Sequence, residues 1–373
     1  MLDLTTLLRD LVKIPSVCGY EEKIGVFTDT WFRANGLLTQ VISVKPNRSN
    51  VVALLKSSKP GPRIMLNGHM DTVDVGTGWT HNPFAGTIDD GRMYGRGTTD
   101  MKAGLACILW AAAKCKQEGL PKKGELTVAA VVDEEAIDLG TYALVQKGFT
   151  KNLDFAMVAE STDLQVVTAH RGRTVIEVTV HGRAAHSHWP DHGVNAIEKA
   201  SILINALSQL RGPLHPRMGY STVNTLKIEG GQDEVMLVPD KCTLVMDRCL
   251  VPGFDAKEAL GEIQQLISKL GIDAEARFIA RETPFCDPFE LPEGDKFVQL
   301  VSESAAKVLG SKPSIGYHEG PCDSCILVNQ GKVPTIEFGP SGGRLHESDE
   351  YVDVDSVKKT AEVYLEILRQ SLS

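Results

Sequence analysis

Six side chains able to bind metal or move protons occur in the order His69, Asp100, Glu134, Glu135, Glu160 and His346. Each ends a hydrophobic, strand-like run or sits in a glycine-rich turn. His69 lies in LNGHMDTV, with Asp71 two residues on and able to accept the imidazole's second N–H. Asp100 follows two glycines in YGRGTTDMKAG, Glu134 and Glu135 stand in VVDEEAIDLG, Glu160 in AMVAES, and His346 in GGRLHESDEY. Two imidazoles and several carboxylates without a thiolate suit a pair of divalent ions, Zn2+ with Co2+ or Mn2+ as alternatives, rather than a structural Cys-ligated zinc. Two such ions roughly 3.5–4 Å apart can share a hydroxide and polarise a carbonyl at once. Adjacent side chains in extended or turn backbone point apart, so one of Glu134 and Glu135 can ligate while the other takes a proton from water and returns it to a leaving nitrogen. Each motif alone reads more readily as a solvated turn or a local hydrogen bond. The ordered set is far more specific.

The intervening chain must hold these groups together. An amphipathic stretch over residues 2–13 leads into strand-like runs at 51–55 and 64–67, a helix from 101 to about 119, and strands at 126–132 and 155–159. Alternation of strands and helices predicts an α/β fold with a mostly parallel sheet covered on both faces, its chemistry gathered at the strands' carboxyl ends. From about Arg173 the pattern changes to strand, helix, strand, strand, helix, strand, which predicts an inserted ferredoxin-like α/β domain. The strand-like run 335–338 and a final helix over 354–372 return to the first pattern. The expected division is residues 1–172 and 282–373 for the catalytic domain and 173–281 for the insertion.

A chain of 373 residues and 40.5 kDa suits two domains. A net charge of -9, a pI near 5.6 and no basic run argue against nucleic acid as a partner. The longest apolar stretch, 103–113, is too short to span a bilayer, and the first ten residues lack the features of a secretory signal, so no membrane is expected and the cytoplasm is the expected compartment. Eight cysteines are scattered, with only Cys322 and Cys325 forming a CxxC; they read as reduced intracellular thiols.

Nearly end to end, these motifs resemble the M20 family of metallopeptidases and deacylases, which includes acetylornithine deacetylase, succinyl-diaminopimelate desuccinylase and the aminoacylases. The resemblance implies that His69 and Glu160 bind one metal, Glu135 and His346 the other, with Asp100 bridging and Glu134 as general base. It also implies that His186, in the AHS of HGRAAHSHWPDHGVNAIEKA, reaches the partner subunit's site in a homodimer formed through the insertion and stabilises the oxyanion. The insertion would then serve as both dimerisation domain and lid.

The chain departs from its relatives where substrate is gripped. Family members usually carry arginine in a D-x-R-x-x-P-G pattern; here that position is Cys249, and Arg248 is one residue out of phase, which turns it to the opposite face of a strand unless a bulge corrects it. Met236 replaces a usual asparagine, and the loop usually reading G-G-T-D-A is Gly320, Pro321, Cys322, Asp323, Ser324. The expected substrate either lacks a carboxylate in the usual place or is held by another group, with Arg248, His318, Arg344 and Arg171 as candidates. Deacylation of a small N-acyl amino acid or related N-acyl compound is the expected reaction. A metallo-carboxypeptidase or dipeptidase acting on short peptides is the alternative, and a metal-dependent binding protein without catalysis the alternative of another class.

Overall fold

The computed structural model describes residues 3–233 and 236–373, so residue 2 of the predicted amphipathic stretch lies outside the described residues. That stretch is the helix Leu4–Val12, started by the Asp3 carboxylate accepting the Thr5 amide, with Leu4, Leu7, Leu8, Leu11 and Val12 buried along one stripe. The chain divides into two compact units. The larger comprises Met1–Ala169, Leu291–Gly316 and Cys322–Ser373, the smaller His170–Glu290 and Tyr317–Pro321.

In the larger unit the strands lie in the order Leu38–Lys45, Arg48–Lys56, Glu125–Val131, Arg63–His69, Phe155–Val158, Thr335–Glu337 and Val166–His170. The four from Glu125–Val131 to Thr335–Glu337 run parallel, flanked by antiparallel neighbours. Val, Leu, Met and Ala fill both faces of these central strands, as a sheet covered on both sides requires. The helix Ala103–Gln117 is buried on nearly every side. Its close seat depends on Gly104, where a Cβ would come within 1.7 Å of the Ala159 carbonyl oxygen. The final helix, Val354–Leu372, packs against it. A small antiparallel sheet of Gly342–Gly343, Tyr351–Asp353, Arg92–Tyr94 and Thr87–Asp89 completes this unit.

The smaller unit is a four-stranded antiparallel sheet in the order Val223–Gly230, Lys241–Leu250, Gly172–His181, Ala274–Phe278. With the helices Ala196–Gln209 and Ala256–Leu270 it makes the ferredoxin-like succession, and Ile176, Val178, Val180, Leu244 and Met246 alternate onto the helix-facing side. The unit extends past residue 281 to Glu290, because Arg173 donates to the Cys286 carbonyl and the Phe289 ring stacks on His170. It also takes in 317–321, since the Arg171 amide donates to the His318 carbonyl and His170 Nδ1 lies 3.0 Å from that of Gly320. Among the described residues no helix is long and apolar enough to cross a membrane.

Candidate active site

The parallel strands end together, and the polar groups that follow them converge. His69 closes the strand Arg63–His69, Glu134 and Glu135 follow Glu125–Val131, and Glu160 follows Phe155–Val158. Asp100 comes from a tight loop entered through Gly97, whose φ of +80° belongs to the left-handed region where glycine carries no Cβ penalty. His346 comes from the loop between Gly342–Gly343 and Tyr351–Asp353 and has a φ of +61°.

His69 Nε2 lies 3.0 Å from one carboxylate oxygen of Asp100 and 3.5 Å from Glu160. On the other side, His346 Nε2 lies 3.1 Å from the second Asp100 oxygen and 3.2 Å from Glu135. Asp100 therefore faces two imidazoles with its two oxygens, and each imidazole has a carboxylate of its own. Glu134 stands 3.8 Å from His69 Nε2 without entering either close set. His69 is fully buried, whereas the His346 side chain is 52% exposed.

Asp71 differs from its expected part. The backbone carbonyl of Asp71, not its carboxylate, lies 2.9 Å from His69 Nδ1. Its carboxylate oxygens instead accept the amides of Glu134 at 3.3 Å and Glu135 at 3.1 Å, and the closest stays 3.8 Å from His69 Nδ1. Asp71 thus positions the turn that carries both glutamates. A second support of that turn was not foreseen from sequence: Asp133, in left-handed conformation (φ +72°), pairs with Arg48 at 2.5 Å, and Arg48 also pairs with Glu21 at 2.5 Å.

Protonation follows from this crowding. Burial pushes Glu134 well above the usual carboxylate range, partly opposed by His69, and burial raises Asp71 to about 6. Burial opposes a charge on His69, but its bond to Asp100 and the Glu160 and Glu134 charges prevail and raise it well above an ordinary histidine. Hydrogen bonds to Asp100 and Glu135 raise His346 to about 10. The same imidazoles hold Asp100 below the carboxylate range against its burial.

A cluster so rich in carboxylate demands positive charge, and its donors fit two divalent ions. His69 and Glu160 could hold one, His346 and Glu135 the other, and Asp100 both, with only nitrogen and oxygen ligands and no thiolate. Among the described residues Glu135 Oε1 has no hydrogen-bond partner although it is buried, as suits a ligand oxygen.

The remaining candidates lie elsewhere. Arg344 is exposed beside His346, 3.7 Å from Asp349. In the smaller unit, His186 is exposed in a turn against the rings of His188 and Trp189, and His318 meets His170 edge-on at 5.0 Å. Arg171 donates to the Tyr220 carbonyl. Arg248 is corrected as a substrate ligand: no bulge intervenes between Lys241–Leu250 and Gly172–His181, so Arg248 falls on the helix-facing side with Leu244 and Met246. It is fully buried, paired with Glu262 and stacked on Phe254. Cys249 occupies the opposite face, half-buried. Cys322 bonds Ser324 and Glu337 through its buried thiol, and all eight cysteines are free.

A model of peptidase family M20/M25/M40 matches residues 65–370. A probable succinyl-diaminopimelate desuccinylase of Staphylococcus epidermidis is 26% identical over 402 residues, covering 99% of this chain and 98% of that protein. Among solved structures, a tripeptidase from Staphylococcus aureus superposes with a TM-score of 0.79 at 24% identity, covering 99% of this chain and 98% of that one. A dinuclear metal binding peptidase of the M20 family from Bacillus subtilis gives 0.75 at 18%, covering 99% and 97%. The converging histidines and carboxylates thus sit in a chain matched over most of its length, and the protein belongs to peptidase family M20/M25/M40, as a hydrolase of amide or peptide bonds.

Proposed function

We propose that this protein removes the acyl group from a small N-acyl amino acid or related N-acyl compound, using two divalent ions, Zn2+ in the first instance, held by His69, Asp100, Glu135, Glu160 and His346. The observation that carries this reading is the division of the Asp100 carboxylate between two imidazoles at 3.0 and 3.1 Å, each with its own glutamate. When bound, the ions polarise the scissile carbonyl and lower the proton affinity of water. Glu134 takes the proton of the attacking water and passes it to the leaving nitrogen. Beside two cations the Glu134 carboxylate stays ionised and so is able to accept that proton. Asp71 keeps Glu134 and Glu135 pointing apart by accepting both of their amides. His186, exposed in the smaller unit, would act on the oxyanion from a second copy of the chain in a homodimer. The free cysteines suit the reducing cytoplasm.

The desuccinylase name of the 26% identical relative supports an N-acyl substrate. Hydrolysis of short peptides is the second reading, supported by the tripeptidase whose fold the chain shares. With Arg248 turned inward and Cys249 on the other face, substrate selection falls to other groups, with Arg344, Arg171 and His318 as candidates. The test is amine release by zinc- or cobalt-loaded protein against N-acetyl, N-succinyl and N-formyl amino acids, short peptides and carboxylate-free amides. Turnover of one N-acyl class, abolished by chelator, supports deacylation. Turnover of peptides alone replaces it with the second reading, and silence across the panel with metal bound sinks both.

A further inference from the structure

Glu350 is almost completely buried, and its carboxylate is saturated by four donors. One oxygen accepts Arg96 Nη1 and the Gly97 amide, each at 2.8 Å. The other accepts the amides of Thr99 at 2.8 Å and of Asp100 itself at 3.1 Å. The Asp100 loop is thus wrapped around a carboxylate contributed from 250 residues along the chain. Arg96 is in turn fixed by the Val75 carbonyl and by the Trp79 ring beneath its guanidinium.

Glu350 stands at the base of a hairpin in which Gly342 and Gly343 pair with Val352 and Tyr351. His346 is carried on the intervening loop, and the half-exposed ring gains little from packing. The loop is held from below. Thr99 Oγ1 donates to the Tyr351 carbonyl, and Asp349 accepts the amides of Thr80 and His81. Arg344, His346 and Asp349 all have left-handed backbone, at φ +60°, +61° and +56°. Non-glycine residues keep that conformation only where their surroundings over-determine it.

We propose that Glu350 is a positioning residue for the metal pair, a buried pin that holds the Asp100 loop and the His346 hairpin in register. This inference rests on the two-metal reading above. Asp100 and His346 lie 246 residues apart in sequence, yet their approach to 3.1 Å must be reproducible if one ion is to bind both. An ion pair serving stability alone needs only Arg96; acceptance of three loop amides, those of Gly97, Thr99 and Asp100 itself, ties the pin to a ligand.

The test is Glu350→Gln, followed by calorimetric metal titration of the folded apo-protein alongside kcat and KM. A glutamine retains one acceptor oxygen but turns an N–H2 toward two donors. Affinity for the metal pair should weaken by about 10- to 100-fold, the range for changes to groups that orient metal ligands. Lower kcat with KM little changed should accompany it. Folded E350Q that takes up two ions with wild-type affinity overturns the proposal, even if it melts earlier, because earlier melting alone reports a structural ion pair. Should the Gln variant not fold, Glu350→Asp carries the same test: weakened affinity at unchanged KM supports the pin, and wild-type affinity overturns it. Wild-type protein that takes up fewer than two ions would overturn the two-metal reading, and this inference with it.

Discussion

The carboxyl ends of the larger unit's parallel strands and the strand Lys241–Leu250 of the smaller unit treat charge in opposite ways. In the first region, carboxylates are massed against two histidines, and the backbone around them is tied down from several sides. Asp71 accepts the Glu134 and Glu135 amides, Arg48 pins Asp133, and Glu350 gathers the Asp100 loop. In the second region, Arg248 is satisfied inside its own unit by Glu262, and the opposite face offers the neutral Cys249. Groups that must act together are best held where the fold over-determines them, which marks the first region as the candidate site. A single residue of phase along a strand suffices to change what group is presented.

The largest effect should come from removing the shared carboxylate. Asp100→Ala should reduce amide turnover to background and lower the bound metal, measured by elemental analysis after gel filtration; retention of two ions would break the contrast at its centre. Glu134→Gln should cost about 10²- to 10⁴-fold in kcat, the range for a general base, while both ions stay bound. A kcat within tenfold of wild type would move the base elsewhere.

Arg48→Met probes how firmly the glutamate turn is held. It leaves Glu21 and Asp133 as buried carboxylates without their shared cation, and should cost about 3–5 kcal/mol in denaturant unfolding. Loss below 1 kcal/mol would show that the turn does not depend on this network. On the other side of the comparison, Cys249→Arg restores a guanidinium to the face that Arg248 has left. Activity toward N-acetyl amino acids with a free carboxylate should rise about tenfold or more, as a charge-assisted hydrogen bond allows. No gain would mean that this face does not meet substrate.

The smallest effect concerns acid stability of the His346 hairpin. The His81 amide and the Thr80 groups hold Asp349 down at about 2. Its lowered proton affinity in the folded state contributes stability that is present above the ordinary carboxylate pKa and lost as pH falls toward 2. Asp349→Asn should flatten the fall in melting temperature between about pH 4 and pH 2, and an unchanged slope would remove Asp349 from that account.

Much of the convergence of His69, Asp100, Glu135, Glu160 and His346 was legible because each side chain ends a hydrophobic run or follows glycines, so residue type and strand position point the same way. The period of two along its strand raised the inward turn of Arg248 but left a bulge open, and only the unbroken pairing with Gly172–His181 removes it from the substrate candidates. Asp71 was half legible: its nearness to His69 follows from sequence separation, but the competition from the Glu134 and Glu135 amides arises only when two strands end side by side. Arg48, Arg96 and Glu350 gave no local signal, since their partners lie up to 254 residues away and a charged residue in a polar loop ordinarily faces water. The helices Glu22–Ala34 and Lys296–Leu309 and the edge strand Leu38–Lys45 were also not foreseen, although both helices bury one apolar stripe. The return to the larger unit was placed early, since the backbone bond from Arg173 to Cys286 leaves no trace in composition.

The central claim is that five side chains hold two ions that the reaction requires. Its most direct test is titration of the metal-free protein with Zn2+ while amine release from the best N-acyl substrate is followed. The account predicts that turnover is absent without metal, rises with added ion and reaches its plateau at two equivalents per chain. Turnover that is indifferent to chelator, or a plateau at a single equivalent, would contradict it.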